Sequence, residues 1–295
     1  MTASPVALMA ALRRAAVRAA HAYSVHDTQP WRFELHPDRL DVVADSSRRL
    51  EALDASGRQL TLSLGCALFD ARVAMATALF DTQVSRIPDP TNSGLYARIT
   101  ARPQRGEAPV DPIATYDALI EHRQAHPEKL SDELPAQALA ALEQAVTADD
   151  AVLSPVRGAQ ACEQVHDLCR EAREIQLLDA AARAELHAWG TNLEADAVLR
   201  PTVRPCFLVL GTSGDDKIDW LHAGEALEHL MLEATRLGFA THTVTAVAEV
   251  ASTRSRLKDA LALPFEPQAV LQVGRAPLAP EPRPRRLVDV LFEAV

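Results

Sequence analysis

Hydrophobic positions along the chain recur at helical spacing in some stretches and alternate in others. Residues 6 to 20 read as a helix rich in alanine and arginine. Trp31, Phe33 and Leu35 alternate with Arg32 and Glu34, the period-two pattern of a strand with one buried face. RLDVVADSS predicts a second strand, with HPD as the turn before it. From Gly57 to Leu79, Leu60, Leu64, Leu68, Ala71, Met75 and Leu79 form one stripe of a long helix. GLYARITA predicts a third strand. The stretch from Arg102 to Pro112 holds three prolines among charged residues and reads as a linker. Beyond it, YDALIEHRQAH and LPAQALAALEQAV predict helices, AVLSPV a short strand, and residues 159 to 189 one long helix. CFLVLGT is apolar on both faces and predicts a central strand. Asp219 is placed as the cap of a helix running to Arg236 and closed by Gly238. RSRLKDALAL predicts a helix, QAVLQVG a strand, and RAPLAPEPRPRR, with four prolines, an extended tail. The sum is an α+β chain whose two parts each supply helices and strands.

Composition narrows the function. The chain has 295 residues, 48% of them hydrophobic, which supports a large core. Its formal charge of -10 argues against a nucleic-acid partner or an anionic membrane surface, while leaving room for one local basic pocket. No run of 18 apolar residues occurs. Cys66, Cys162, Cys169 and Cys206 show no metal spacing and fit isolated thiols in a reducing cytoplasm. HExxH, CxxC, Walker and GxGxxG motifs are absent, and no metal is expected. The one unusual cluster is Ser24, His26, Asp27, Thr28 and Gln29, followed by Pro30 and Trp31. It reads either as a capped turn leading into a strand or as a ligand loop with a stacking ring.

The segment Ser-Val-His-Asp-Thr-Gln-Pro-Trp-Arg-Phe resembles the S-x-x-N-x-Q-P-W-x-F segment of nitroreductase-like flavoproteins. ADSSRRLEALDASGRQLTLSLGCALFDARVA, LGTSGDDKIDWLHAGEALEHLMLEATRLGFA and LPFEPQAVLQVGRAP extend the resemblance over nearly the whole chain, toward the fused, double-length Acg-type subfamily. The resemblance implies a nitroreductase-like α/β sandwich in which one chain mimics the family homodimer, with residues 1–112 as one half and 113–295 as the other. It implies FMN as cofactor, NAD(P)H as possible hydride donor, and a monomer or loose dimer. It carries site roles onto Ser24, Asp27 and Gln29 in the loop, and onto Arg123 as a phosphate cation. Thr243, Val244 and Thr245 become the backbone beside the flavin, and Arg285 or Arg286 a second phosphate contact. No acid–base residue is implied, and His26 reads as a surface residue.

Two departures bear on turnover. Asp27 stands where the family has asparagine, and an ionised carboxylate accepts hydrogen bonds but donates none. Pro127 stands where a later cation is expected, with Ala125 before it and Lys129 two residues on. The resulting expectation is an FMN-binding oxidoreductase of weak turnover. The alternative is a non-catalytic protein that stores or shields FMN beneath an inserted segment around residues 177–201.

Overall fold

The computed structural model describes residues 4–89, 91–104, 112–123, 134–190, 206–276 and 283–294. The first half begins with helix α1, Pro5–Ala19, whose proline sits in the first turn, where a missing N–H costs nothing. Strands β1, Trp31–Leu35, and β2, Arg39–Ala44, pair antiparallel with Phe33 opposite Val42. Helix α2, Arg58–Thr77, is followed by β3, Phe80–Arg86, and β4, Leu95–Pro103. By length and composition α2 is apolar enough to cross a membrane, but most of it is buried inside the protein as a core helix.

Strand β3 escapes the hydrophobic pattern because it is an edge strand whose residues are mostly half-buried or exposed. Strand β4 runs on to Pro103, into the stretch read as linker.

The second half holds α3, Ile113–Leu119, α4, Ala136–Thr147, and β5, Val152–Pro155. The long helix expected over 159–189 is two: α5, Ala159–Leu178, and α6, Ala180–Ala188. Asp179 breaks it with an extended backbone and accepts from the N–H groups of Ala181 and Ala182, capping α6. Strand β6, Cys206–Thr212, is central as expected, in the order β5, β6, then β8, Glu266–Gly274, and β7, Ala240–Val244. Helix α7, Lys217–Arg236, is capped by Asp216; Asp219 is the third helical residue and returns the bond in a capping box. The short α8, Ala246–Glu249, and α9, Ala251–Ala260, join β7 to β8. Past the tail, one helical turn, α10, Leu287–Val290, leads to β9, Leu291–Glu293.

Two joints between the halves matter most for the site. Helices α2 and α7 pack together more extensively than any other pair of elements. Gly65 and Gly224 make this possible, since a Cβ on Gly224 would lie 2.0 Å from the Leu62 carbonyl oxygen and 2.8 Å from the Gly65 Cα. Strand β9 crosses back to the first half and adds itself parallel to β1, with Phe33 opposite Leu291. The first sheet is thus completed by the second half, in the order β3-β4-β2-β1-β9. The α+β architecture is the expected one, and its largest core cluster draws on both halves.

Candidate functional site

The Ser24–Gln29 loop is held in an uncommon backbone conformation. His26, Asp27 and Gln29 have φ of 54°, 52° and 46°, the left-handed region that non-glycine residues seldom occupy. Each such residue stores on the order of 1–3 kcal/mol, so the surroundings must impose the shape. Ser24 Oγ accepts from the Gln29 amide at 3.0 Å, and the Val25 amide donates to Ser63 Oγ on α2 at 3.1 Å. Gln29 fastens the loop to the tail: its Nε2 donates to Asp27 Oδ1 at 2.8 Å and to the Arg283 carbonyl at 2.9 Å, while its Oε1 accepts from the Arg285 amide at 2.8 Å. Trp31 is fully buried, so its ring is core and does not form a stacking wall.

Around this loop lies a cavity of about 320 Å³, lined by Ala20 to Ser24, His26, Asp27, Gln29, Arg123, Arg283 and Pro284. Four of the expected residues meet here: Ser24, Asp27, Gln29 and Arg123. Arg123 reaches it from the turn after α3, with Nη1 donating to Glu228 at 2.6 Å and Nη2 to the His21 carbonyl at 3.0 Å. Its Nε is buried and has no hydrogen-bond partner among the described residues. Beneath the guanidinium sit two buried acids, Glu228 on α7 and Asp70 on α2. Neither Asp70 oxygen has a hydrogen-bond partner among the described residues. Burial pushes the Asp70 carboxyl well above the usual range, with the Glu228 charge adding to it, so Asp70 holds its proton. Burial also raises Glu228, against the opposing pull of Arg123.

Thr243, Val244 and Thr245, expected beside the flavin, do not line the cavity. Tyr23, a lining residue, faces the Thr243 hydroxyl, Val244 packs into the second core cluster, and Thr245 bonds Glu249. Arg285 also stands outside the cavity, its guanidinium bonded to the Gln29 and Trp31 carbonyls, the Asp45 carboxylate and the Asp289 carbonyl. Arg286 pairs with Asp289 at the surface. The tail cation at the cavity is Arg283, exposed and two residues before the expected pair. Ala125, Pro127 and Lys129 lie outside the described residues.

Sequence reasoning missed His26, Glu228, Asp70 and Arg283. For Glu228 and Asp70 a signal existed: both interrupt apolar helical stripes in GEALEHLML and GCALFDARV. His26 is no surface residue, because its side chain is 5% exposed and Nε2 lies 3.1 Å from Glu249.

An arm of the second half leans on the loop's far side. Glu185 on α6 accepts from three successive backbone N–H groups of the first half, those of Glu51, Ala52 and Leu53, at 2.6, 3.1 and 2.9 Å. Trp189 stacks on Arg48 at 4.8 Å, and Arg48 Nε donates to the Thr28 carbonyl.

A Mycobacterium tuberculosis protein named "Putative NAD(P)H nitroreductase acg" is 28% identical, the match covering 95% of each chain. The chain resembles the Acg-type nitroreductases along nearly its whole length. A second protein of that organism, also named an NAD(P)H nitroreductase with the same qualifier, is 28% identical over 90% of this chain and 85% of its own. An FMN-bound nitroreductase structure from Bacteroides fragilis aligns with 60% of this chain and 95% of its own, at 13% identity and a TM-score of 0.39. No protein-family model matches the chain. The cavity lies where residues of both halves meet, around the loop that carries the sequence resemblance.

Proposed function

We propose that this chain is an FMN-binding oxidoreductase of slow turnover that takes hydride from NAD(P)H. The observation that carries the reading is convergence: a strained polar loop, a buried guanidinium whose Nε has no partner among the described residues, and a tail arginine border one cavity. That donor set suits a flavin mononucleotide, which offers a phosphate to cations and a polar ring edge to hydrogen-bonding groups. Bound there, the flavin supplies two-electron redox chemistry. Arg283, with Arg123 behind it, holds the phosphate. Ser24 braces the loop, and Asp27 offers an acceptor to a ring N–H. Slow turnover follows from charge: Asp27 is anionic and Glu228 offsets Arg123, so little positive charge remains to stabilise a reduced, anionic ring.

Acid release of flavin, quantified against protein, is expected to give one FMN per chain, because the loop and both arginines occur once. A ratio near two, or near zero after soaking with FMN, overturns the reading. Arg283→Ala is expected to weaken FMN binding by about one to two decades, the worth of roughly 1.5–3 kcal/mol for a charge-assisted contact. Its exposure means that the melting temperature should not move. Fluorescence titration of the apo-protein measures the affinity.

A second reading, storage or shielding of FMN without turnover, is favoured by one observation, the arm seated through Glu185 and Trp189. If that reading holds, Glu185→Gln combined with Trp189→Ala speeds FMN release by about tenfold or more, the effect of losing roughly 1.4 kcal/mol of closure. NAD(P)H oxidation would stay absent in both proteins. Stopped-flow release and steady-state NAD(P)H oxidation distinguish this outcome from slow catalysis.

A further inference from the structure

One titratable group of the loop faces the cavity and has no part in the reading above. His26 lines the cavity, and its Nε2 is held at 3.1 Å by Glu249 Oε1. Glu249 ends α8, a turn that follows directly on the Thr243–Thr245 segment. Burial alone would push its carboxyl up; the His26 charge and hydrogen bond, with bonds from Thr245 and from Gln176 on α5, hold it below the usual carboxylate range. A buried carboxylate with that many fixed donors stays ionised and fixes one nitrogen of the ring, as the orienting acid of a histidine dyad does.

The neighbours do not take over this role. Tyr23 and Cys66 are pushed up by burial and hold their protons. Arginines 123 and 283 do not release theirs at working pH. Around Glu249 the other charged groups are Asp54 and Arg58, on the first-half side. Asp27 follows His26 in the chain and is bonded to Gln29. His21 also borders the cavity, but its Nδ1 is tied to the Val17 carbonyl, and no carboxylate pairs with it among the described residues. The backbone adds a separate argument. A histidine kept at φ of 54° bears strain that a purely structural ion pair does not require, and such strain gathers where a side chain must be aimed.

We propose that the His26–Glu249 pair is the acid–base device of this cavity, with His26 giving the proton that a quinone-type acceptor takes up together with hydride. The proposal rests on the oxidoreductase reading. Reduction of a quinone to a hydroquinone needs one hydride, which carries two electrons, and one proton. The hydride derives from the reduced nicotinamide, which leaves oxidised. The imidazolium N–H bond of His26 breaks, an O–H bond forms on the quinone oxygen, and water returns a proton to the neutral imidazole. Glu249 touches neither reactant; it is a positioning residue that holds the ring.

The test begins with the protein as purified, by NMR of its histidine ring protons over pH 5 to 8. His26→Asn, which tolerates positive φ, assigns the His26 signal. Glu249→Gln is expected to move the His26 titration to lower pH and leave that of His21 in place. In FMN-loaded protein with NAD(P)H and a benzoquinone, His26→Gly is expected to lose about 100-fold in rate, typical of a missing general acid, with FMN content unchanged. Added imidazole, entering the space that the ring vacates, should restore at least a tenth of it. A His26 signal indifferent to Glu249→Gln, or a His26→Asn enzyme with the wild-type rate and pH profile, overturns the proposal. Protein that binds no FMN overturns the oxidoreductase reading instead, and the NMR titration still decides whether the pair exists.

Discussion

Gly224→Ala is expected to cost about 3 kcal/mol or more of stability, although alanine is the better helix former by roughly 0.5–1 kcal/mol. The added methyl would sit 2.0 Å from the Leu62 carbonyl oxygen and 2.9 Å from its carbon, both backbone atoms that cannot rotate away. Gly65 faces the same seam from the other helix, with its Cβ position 2.2 Å from the Leu221 carbonyl oxygen. Relief requires α2 and α7 to separate, and that would loosen Cys66, whose Sγ reaches the Gly224 carbonyl at 3.2 Å. The joint between the halves bears the damage. Urea denaturation followed by circular dichroism measures it. A variant as stable as wild type would show that the helices have room to slide.

Arg123→Ala is expected to destabilise the fold by about 3–5 kcal/mol at neutral pH, the usual result of leaving a buried charge without its partner. An arginine reaching into an open pocket would be dispensable to the fold. This one is 5% exposed and neutralises Glu228 beside a second buried acid. The pH dependence identifies the cause. Asp70 and Glu228 are both raised in the folded protein, so the folded state holds more protons than the unfolded chain above pH of about 4. Their contribution therefore falls as pH rises. Removing Arg123 raises both further, so the variant should lose more stability at pH 8 than at pH 5. Melting temperatures across that range decide the matter, and an equal loss at both pH values would mean that packing, not charge, is responsible. Glu228→Gln should recover part of the loss in the Arg123→Ala background.

Much of this was legible in the chain before any geometry. The apolar stripe of α2 and the alternation in β1 announce their elements by their period, and α7 is announced by the acid at its start and Gly238 at its end. The Ser24–Gln29 cluster was legible as unusual from its polar side chains, but the residues alone left a capped turn open, and the family resemblance is what pointed to a site. What stayed hidden depends on partners far away in sequence. Glu228 and Arg123 are 105 residues apart, and nothing local says that each neutralises the other. The register of the tail was also hidden, since Arg283, Arg285 and Arg286 look alike in sequence. The neighbours of β1 and β2 direct Arg285 onto Gln29 and Asp45, which leaves Arg283 to the cavity.

The strand that β9 lends to the first sheet has a kinetic consequence. Gln29 and Arg285 are 256 positions apart, and β1 and β9 close nearly the same span. Loop closure over such a length costs only slowly more than over a short one, but the contacts that repay it form late. Until they do, β1 is an open sheet edge and the loop lacks the bonds that impose its positive φ angles. The first half is therefore expected to collapse early with a relaxed loop, and to acquire its strained form only in the slow step that docks the tail. Flavin added during refolding should bind with the rate of that last step, whatever its concentration.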